Sequence, residues 1–124
     1  MSHRVIPSGQ LRISPTTHRM EGHEYGAGVS FFLVDYPPGR GNDLHRHPYA
    51  EVFIVESGTA TFQIGSETIE VTGGHVVVSP AGEAHGFTNT GKDQLRLTAI
   101  HGAGQFTTEW LDGPDPVWTS QPQA

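Results

Sequence analysis

Three histidines and one glutamate define the chemistry open to this chain. His45, His47 and Glu51 stand close together, and His85 follows the turn-prone run Pro80-Ala81-Gly82. Three neutral imidazoles and a carboxylate can close on one divalent metal if the backbone brings all four into a single cavity. This donor set suits iron, nickel, manganese, zinc or copper and does not choose among them. A dication held this way keeps a net charge of about +1, which favours anionic or enolisable oxygen ligands at a vacant coordination position.

The elements that must position these groups are short strands. Residues two apart in a strand project to one face, so an extended segment from Leu44 to His47 presents His45 and His47 together. Pro48 breaks ladder pairing and marks a bend before the strand that starts at Glu51. Pro80-Ala81-Gly82 turns the chain so that a separate strand, Ala84 to Thr88, returns His85 to the same pocket. Val29 to Tyr36 is apolar on both faces, as is Glu51 to Glu56. Thr59 to Ile64 and Glu67 to Val71 flank Gly65-Ser66, a two-residue link with glycine first, as a tight hairpin turn prefers. Val76 to Val78 and Leu95 to His101 complete the series, and Phe106 to Leu111 forms a last strand or a short helix. Many short strands spaced by turn signals predict an all-β fold, a single small barrel or double-sheet jelly roll.

Composition narrows the function. Sixteen glycines and nine prolines without a period suit tight turns between strands, and 124 residues suit one domain. Thirteen acidic and seven basic residues give a net charge of −6, and Lys92 is the only lysine. No basic stripe exists to neutralise phosphates, so nucleic acid is a poor partner. The absence of cysteine excludes thiolate zinc sites, iron–sulfur ligation and disulfides. No apolar run reaches membrane-spanning length and Met1 to Gln10 lacks the apolar core of a signal peptide, so a cytoplasmic protein is expected, with no membrane partner.

Two spaced patterns contain the four ligands. Gly39-x5-His45-x-His47-x3-Glu51-x6-Gly58 is the first, and Gly74-x5-Pro80-x-Gly82-x2-His85-x3-Asn89 is the second. Together they resemble the two signature motifs of the cupin superfamily, joined by a short loop from Thr59 to Gly73. His75 departs from the family pattern, which usually carries an acidic residue there, and it lies outside the ligand set. The resemblance implies a small single-domain cupin whose barrel binds one divalent metal per chain through His45, His47, Glu51 and His85. Glycines and proline in both patterns are explained by turns alone. Buried imidazoles and a buried acid gain nothing in an apolar barrel without an ion to satisfy them.

The resulting expectations are specific. Residues 1–28 form an arm or lid, 29–112 the cupin barrel and 113–124 a loose tail. The function expected is a mononuclear metal-dependent enzyme, with dioxygenation leading, on a small organic molecule inside the barrel. The alternatives are a non-catalytic ligand- or metal-binding module and a metal-dependent isomerase or lyase. Glu51 is a candidate catalytic base. His101 shares a face with Leu95, Leu97 and Ala99 and so points inward, as a candidate proton shuttle or substrate contact or as a hydrogen-bonded structural histidine. Phe87 is a candidate apolar wall beside the metal, and Tyr36, Arg40, Asn42 and Tyr49 are candidates at the barrel mouth. Strands apolar on both faces need a cover, so Val52, Ile54, Phe32 and Val34 are candidates for packing against a second sheet layer or for a subunit interface, and a homodimer is expected.

Overall fold

The computed structural model describes residues 3–111, so the tail expected over 113–124 lies outside the described residues. The described residues fold as eleven strands: β1 (Arg12–Ser14), β2 (Thr17–Met20), β3 (Ser30–Tyr36), β4 (His45–Arg46), β5 (Glu51–Ser57), β6 (Thr59–Ile64), β7 (Glu67–Thr72), β8 (His75–Ser79), β9 (His85–Asn89), β10 (Leu95–His101) and β11 (Glu109–Trp110). Two 3-10 turns, Ser8–Leu11 and Gly22–Tyr25, are the only helical pieces among the described residues. All pairing is antiparallel, in a six-stranded sheet ordered β1-β2-β3-β10-β5-β8 and a five-stranded sheet ordered β11-β4-β9-β6-β7. This is the all-β, double-sheet jelly roll expected from the strand pattern. No helix among the described residues is long and apolar enough to cross a membrane.

Register explains where the core sits. Across the inner face of the larger sheet, Phe32, Ala99, Phe53 and Val77 form one row, and Val34, Leu97 and Val55 form the next. Facing them, Phe62 pairs with Phe87, and both rings pack against Phe53 at 5.0 and 5.8 Å between centroids. These three phenylalanines are fully buried, and each contributes on the order of 1.5–3 kcal/mol by its removal from water. Phe87 is therefore core, stacked on Tyr36 as well. The inner row at one end of this sheet is polar: Ser30, His101, Glu51 and Ser79 lie side by side, all at 1% exposure or less. The apolar layers fill the middle, and this row opens the site layer.

Two expectations change. Phe32 and Val34 are buried in the core between the two sheets, so the second sheet layer covers them and they cannot serve a subunit interface; Phe31 and Leu33 face outward instead. Alternation separates the two sets without telling which is inside. Residues 17–20, expected in an arm, extend the larger sheet as β2 on the edge of β3. Their polar sequence, Thr-His-Arg-Met, carries no apolar alternation to announce a strand. The hairpin turn is where the sequence puts it: Ile64 pairs with Glu67 and Gly65 takes φ of 59°. Gly58, which ends the first motif, also needs glycine, because at φ 91° an added Cβ would meet the Gln94 carbonyl oxygen at 2.5 Å.

Candidate metal centre

Each candidate ligand reaches the site through a separate device. His45 on β4 is the direct cross-strand partner of His85 on β9. Glu51 opens β5 between His101 and Ser79. His47 lies just past β4, where its carbonyl accepts a hydrogen bond from the Gly82 N–H at 2.7 Å, so the second motif's turn clamps the first motif's bend. One ligand atom from each of His45, His47, Glu51 and His85 falls within 4.8 Å of the others, and all four residues are buried. The structure thus brings together the four residues read as ligands.

The imidazoles are oriented as metal ligands are. His45 Nδ1 donates to the Asp43 carbonyl at 2.7 Å, His85 Nδ1 faces the Glu83 carbonyl at 3.1 Å and Ser79 Oγ at 3.0 Å, and His47 Nδ1 donates to the Thr107 carbonyl at 2.8 Å. A proton held on Nδ1 by a carbonyl leaves the Nε2 lone pair free to ligate. The Nε2 atoms of His45 and His47 are buried without a hydrogen-bond partner, as is Glu51 Oε2. Glu51 Oε1 lies 3.1 Å from His47 Nε2 and 2.8 Å from His85 Nε2. Buried polar atoms left unpaired cost about 1–3 kcal/mol each, and a shared cation removes that cost. Nitrogen and oxygen donors bind such an ion at about 2.0–2.2 Å, a reach compatible with atoms packed this closely. The residues fit a metal.

Electrostatics agree with that geometry. Burial and the neighbouring His85 push the His45 imidazole down to about 4, so it is neutral and ready to ligate at pH 7. Burial pushes the Glu51 carboxyl up, but the imidazoles of His101, His47 and His85 outweigh it and hold the group below the ordinary carboxylate range. Glu51 is an anion among imidazoles.

His101 and Tyr49 form a second line of groups. His101 Nε2 lies 3.1 Å from Glu51 Oε2, and its Nδ1 lies 2.7 Å from the Tyr49 hydroxyl. Tyr49 also stacks on His47, with ring centroids 5.0 Å apart and planes 5° apart. Burial raises the Tyr49 phenol, so it stays protonated at neutral pH. Asn42 serves the scaffold: its Oδ1 accepts from the Phe87 N–H at 2.9 Å. Tyr36 is buried in the core, and the Arg40 guanidinium lies over its ring at 5.4 Å.

Sequence reasoning missed Trp110 and Thr107. Trp110 pairs with His45 and its ring lies 4.8 Å from the imidazole, while Thr107 supplies a backbone carbonyl. A backbone acceptor 60 residues from its donor leaves no residue signature. A cleft of about 280 Å³ lined by Arg46, His47, Pro48, Gly82, Thr107, Thr108 and Glu109 reaches His47.

The cupin domain family matches residues 32–101. An uncharacterized protein of Streptomyces coelicolor is 45% identical over 77 residues, which cover 62% of this chain and 70% of that protein. Among solved structures, an oxalate decarboxylase of Bacillus subtilis studied for its Mn(II) centres superposes with a TM-score of 0.71 at 21% identity. An oxalate oxidase in complex with the substrate analogue glycolate superposes at 0.68 and 23% identity. The matches cover 79% and 80% of this chain but only 29% and 57% of those proteins, and at these identities the likeness is one of fold.

Proposed function

This chain belongs to the cupin domain family, and from that premise we propose that it is a mononuclear metal-dependent enzyme acting on a small organic molecule, with dioxygenation of an aromatic or dicarbonyl compound as the leading reaction. The observation that carries the reading is the pair of buried Nε2 atoms of His45 and His47, left without hydrogen-bond partners beside the His85–Glu51 contact while their Nδ1 atoms are anchored on backbone carbonyls. A divalent metal bound by His45, His47, Glu51 and His85 would supply Lewis acidity or a redox centre to an oxygen-bearing substrate. Glu51 and His101 are the proposed proton-handling pair, with His101 Nε2 3.1 Å from Glu51 Oε2 and its Nδ1 2.7 Å from the Tyr49 hydroxyl. The cleft beside His47 is the proposed approach for the substrate.

The test is elemental analysis of the purified protein, followed by oxygen-uptake screening of phenolic and dicarbonyl compounds after reconstitution with each candidate metal. Metal-dependent uptake supports the reading. Metal binding without uptake with any metal overturns dioxygenation and favours an isomerase, a lyase or a non-catalytic binding module. The last has its own support, since Phe53, Phe62, Phe87 and Tyr36 pack the interior next to the site. His101 separates these classes further. His101→Gln should keep metal affinity within a few-fold of wild type while lowering turnover by about 10²–10⁴-fold, as loss of a proton-transfer group does. Equal losses of metal and turnover would make His101 a structural member of the site.

We propose a homodimer built on the outer face of the larger sheet. There Met20, Phe31, Ile100, Val52 and Val78 form one row across five strands, and His18, Leu33, Thr98, Ile54 and Val76 form the next. Over these five strands the rows hold no acid, lysine or arginine, Arg12 on β1 lies opposite His18, and Val76 and Val78 are more than half exposed. An apolar patch of this kind, bordered on the same face by Arg12, Asp35, Glu56 and Arg96, suits a second identical sheet. Light scattering at micromolar concentration should give twice the chain mass; a monomer would remove the proposal.

A further inference from the structure

The chain after β10 crosses back over the site as a strap. Gly102 N–H donates to the Ala50 carbonyl, Ser30 Oγ donates to the Ala103 carbonyl, and the Phe106 N–H donates to Glu21 Oε2 at 2.9 Å. The Phe106 ring stacks on Phe32 at 4.6 Å, meets His101 edge-on at 4.8 Å, and lies beneath the Arg19 guanidinium at 4.8 Å. Glu21 is held below the ordinary carboxylate range, chiefly by that Phe106 N–H. Beyond it, β11 pairs with β4, with Glu109 ion-paired to Arg46 and Trp110 over His45.

One contact of the strap reaches a ligand. His45 and His85 take their Nδ1 acceptors from carbonyls two residues earlier in their own segments, Asp43 and Glu83. His47 alone of the three takes its acceptor from the strap, the Thr107 carbonyl at 2.8 Å, with Thr108 Oγ1 beside it at 3.2 Å. When the strap is seated, the His47 proton sits on Nδ1 and Nε2 presents its lone pair to the site. When it lifts, the ring loses the partner that fixes both its tautomer and its rotation. Thr107, Thr108 and Glu109 also form one wall of the cleft that reaches His47, so lifting widens that approach.

We propose that the strap, residues 102–111, is a positioning element coupled to the metal: seating it completes the His47 ligand, and loading the metal seats it. The coupling is reciprocal, because whatever affinity the seated strap adds for the metal, the metal adds for the seated strap. This inference rests on the metal reading of the site. Within it, the strap is the part of the shell that can leave without unfolding a sheet, since β11 is two residues long and sits on the sheet edge.

Hydrogen exchange read by mass spectrometry, on the full chain with chelator or with Zn²⁺ or Mn²⁺, tests the coupling. The amides of Phe106, Thr107 and Leu111 should exchange at least tenfold more slowly in the loaded protein, while the remote hairpin strand β7 changes little. Phe106→Ala, which removes the stacking that seats the strap, should weaken metal affinity by about 10–100-fold, the usual cost of losing a partner that orients a ligand. Metal binding measured by calorimetry with no change in strap exchange would overturn the coupling and leave the metal site standing. A folded Phe106→Ala protein with wild-type affinity would overturn it too. Failure of either metal to bind the wild-type chain would remove both readings. If Phe106→Ala does not fold, the exchange experiment on the wild-type protein decides alone.

Discussion

Alanine in place of His45, His47 or His85 is expected to lower affinity for a divalent metal by more than about 100-fold in each case. Loss of a partner that merely orients a ligand costs about 10–100-fold, and removing the donor atom itself costs more. Compensation by water is hindered, because the three imidazoles are only 1–3% exposed and open onto packed aromatic core. His75 and His18 supply the controls. His75 is exposed and its Nδ1 faces the Thr72 carbonyl, and His18 belongs to the outer face of the larger sheet, so alanine at either should leave affinity unchanged. Competition against a chromogenic chelator measures all five variants on one scale. Equal loss in the His75 variant, or retention in all three site variants, would contradict the assignment.

Acid should destabilise the metal-free protein well before ordinary carboxylates titrate. The His45 imidazole is held at about 4 in the folded chain against about 6.5 when unfolded, so folding favours its neutral form. That contribution is fully present above pH 6.5 and is lost as pH falls toward 4, reaching on the order of 3 kcal/mol at the acid end. Glu51 acts in the same direction at lower pH, because its depressed carboxyl stabilises the fold above the ordinary carboxylate value and loses this as pH falls further. Urea midpoints of chelator-treated protein between pH 7.5 and 4.5 should therefore fall steadily, and His45→Gln should flatten the curve. Bound metal competes with protons for the same nitrogens, so loaded protein should hold its midpoint to lower pH and then lose metal. A flat wild-type curve would contradict the burial-driven depression of His45.

Much of this arrangement is legible in the chain because strand alternation and ligand spacing share one period. His45 and His47 flank exposed Arg46, as residues two apart in an extended segment must. Leu95, Leu97, Ala99 and His101 share an inward face from the first residue of β10 to the last. What alternation leaves open is which face is inside when both are apolar, and so Phe32 and Val34 exchange roles with Phe31 and Leu33. The deciding residue is Ser30, which shares their face and lies in register with His101 and Glu51 in the polar row. Pairings made by polar strands, such as β2 between β1 and β3, carry no apolar period. Contacts made by backbone, such as the Thr107 carbonyl on His47, depend on where the chain returns in space, and no residue type encodes them.

X-ray absorption on the reconstituted wild-type protein, with metal content measured on the same sample, tests the central claim most directly. The account predicts one metal per chain in a shell of nitrogen and oxygen donors with the scattering pattern of three imidazoles, lost in the His85→Ala protein. A chain that retains none of iron, nickel, manganese, zinc or copper after desalting, or a bound metal without imidazole scattering, would contradict it.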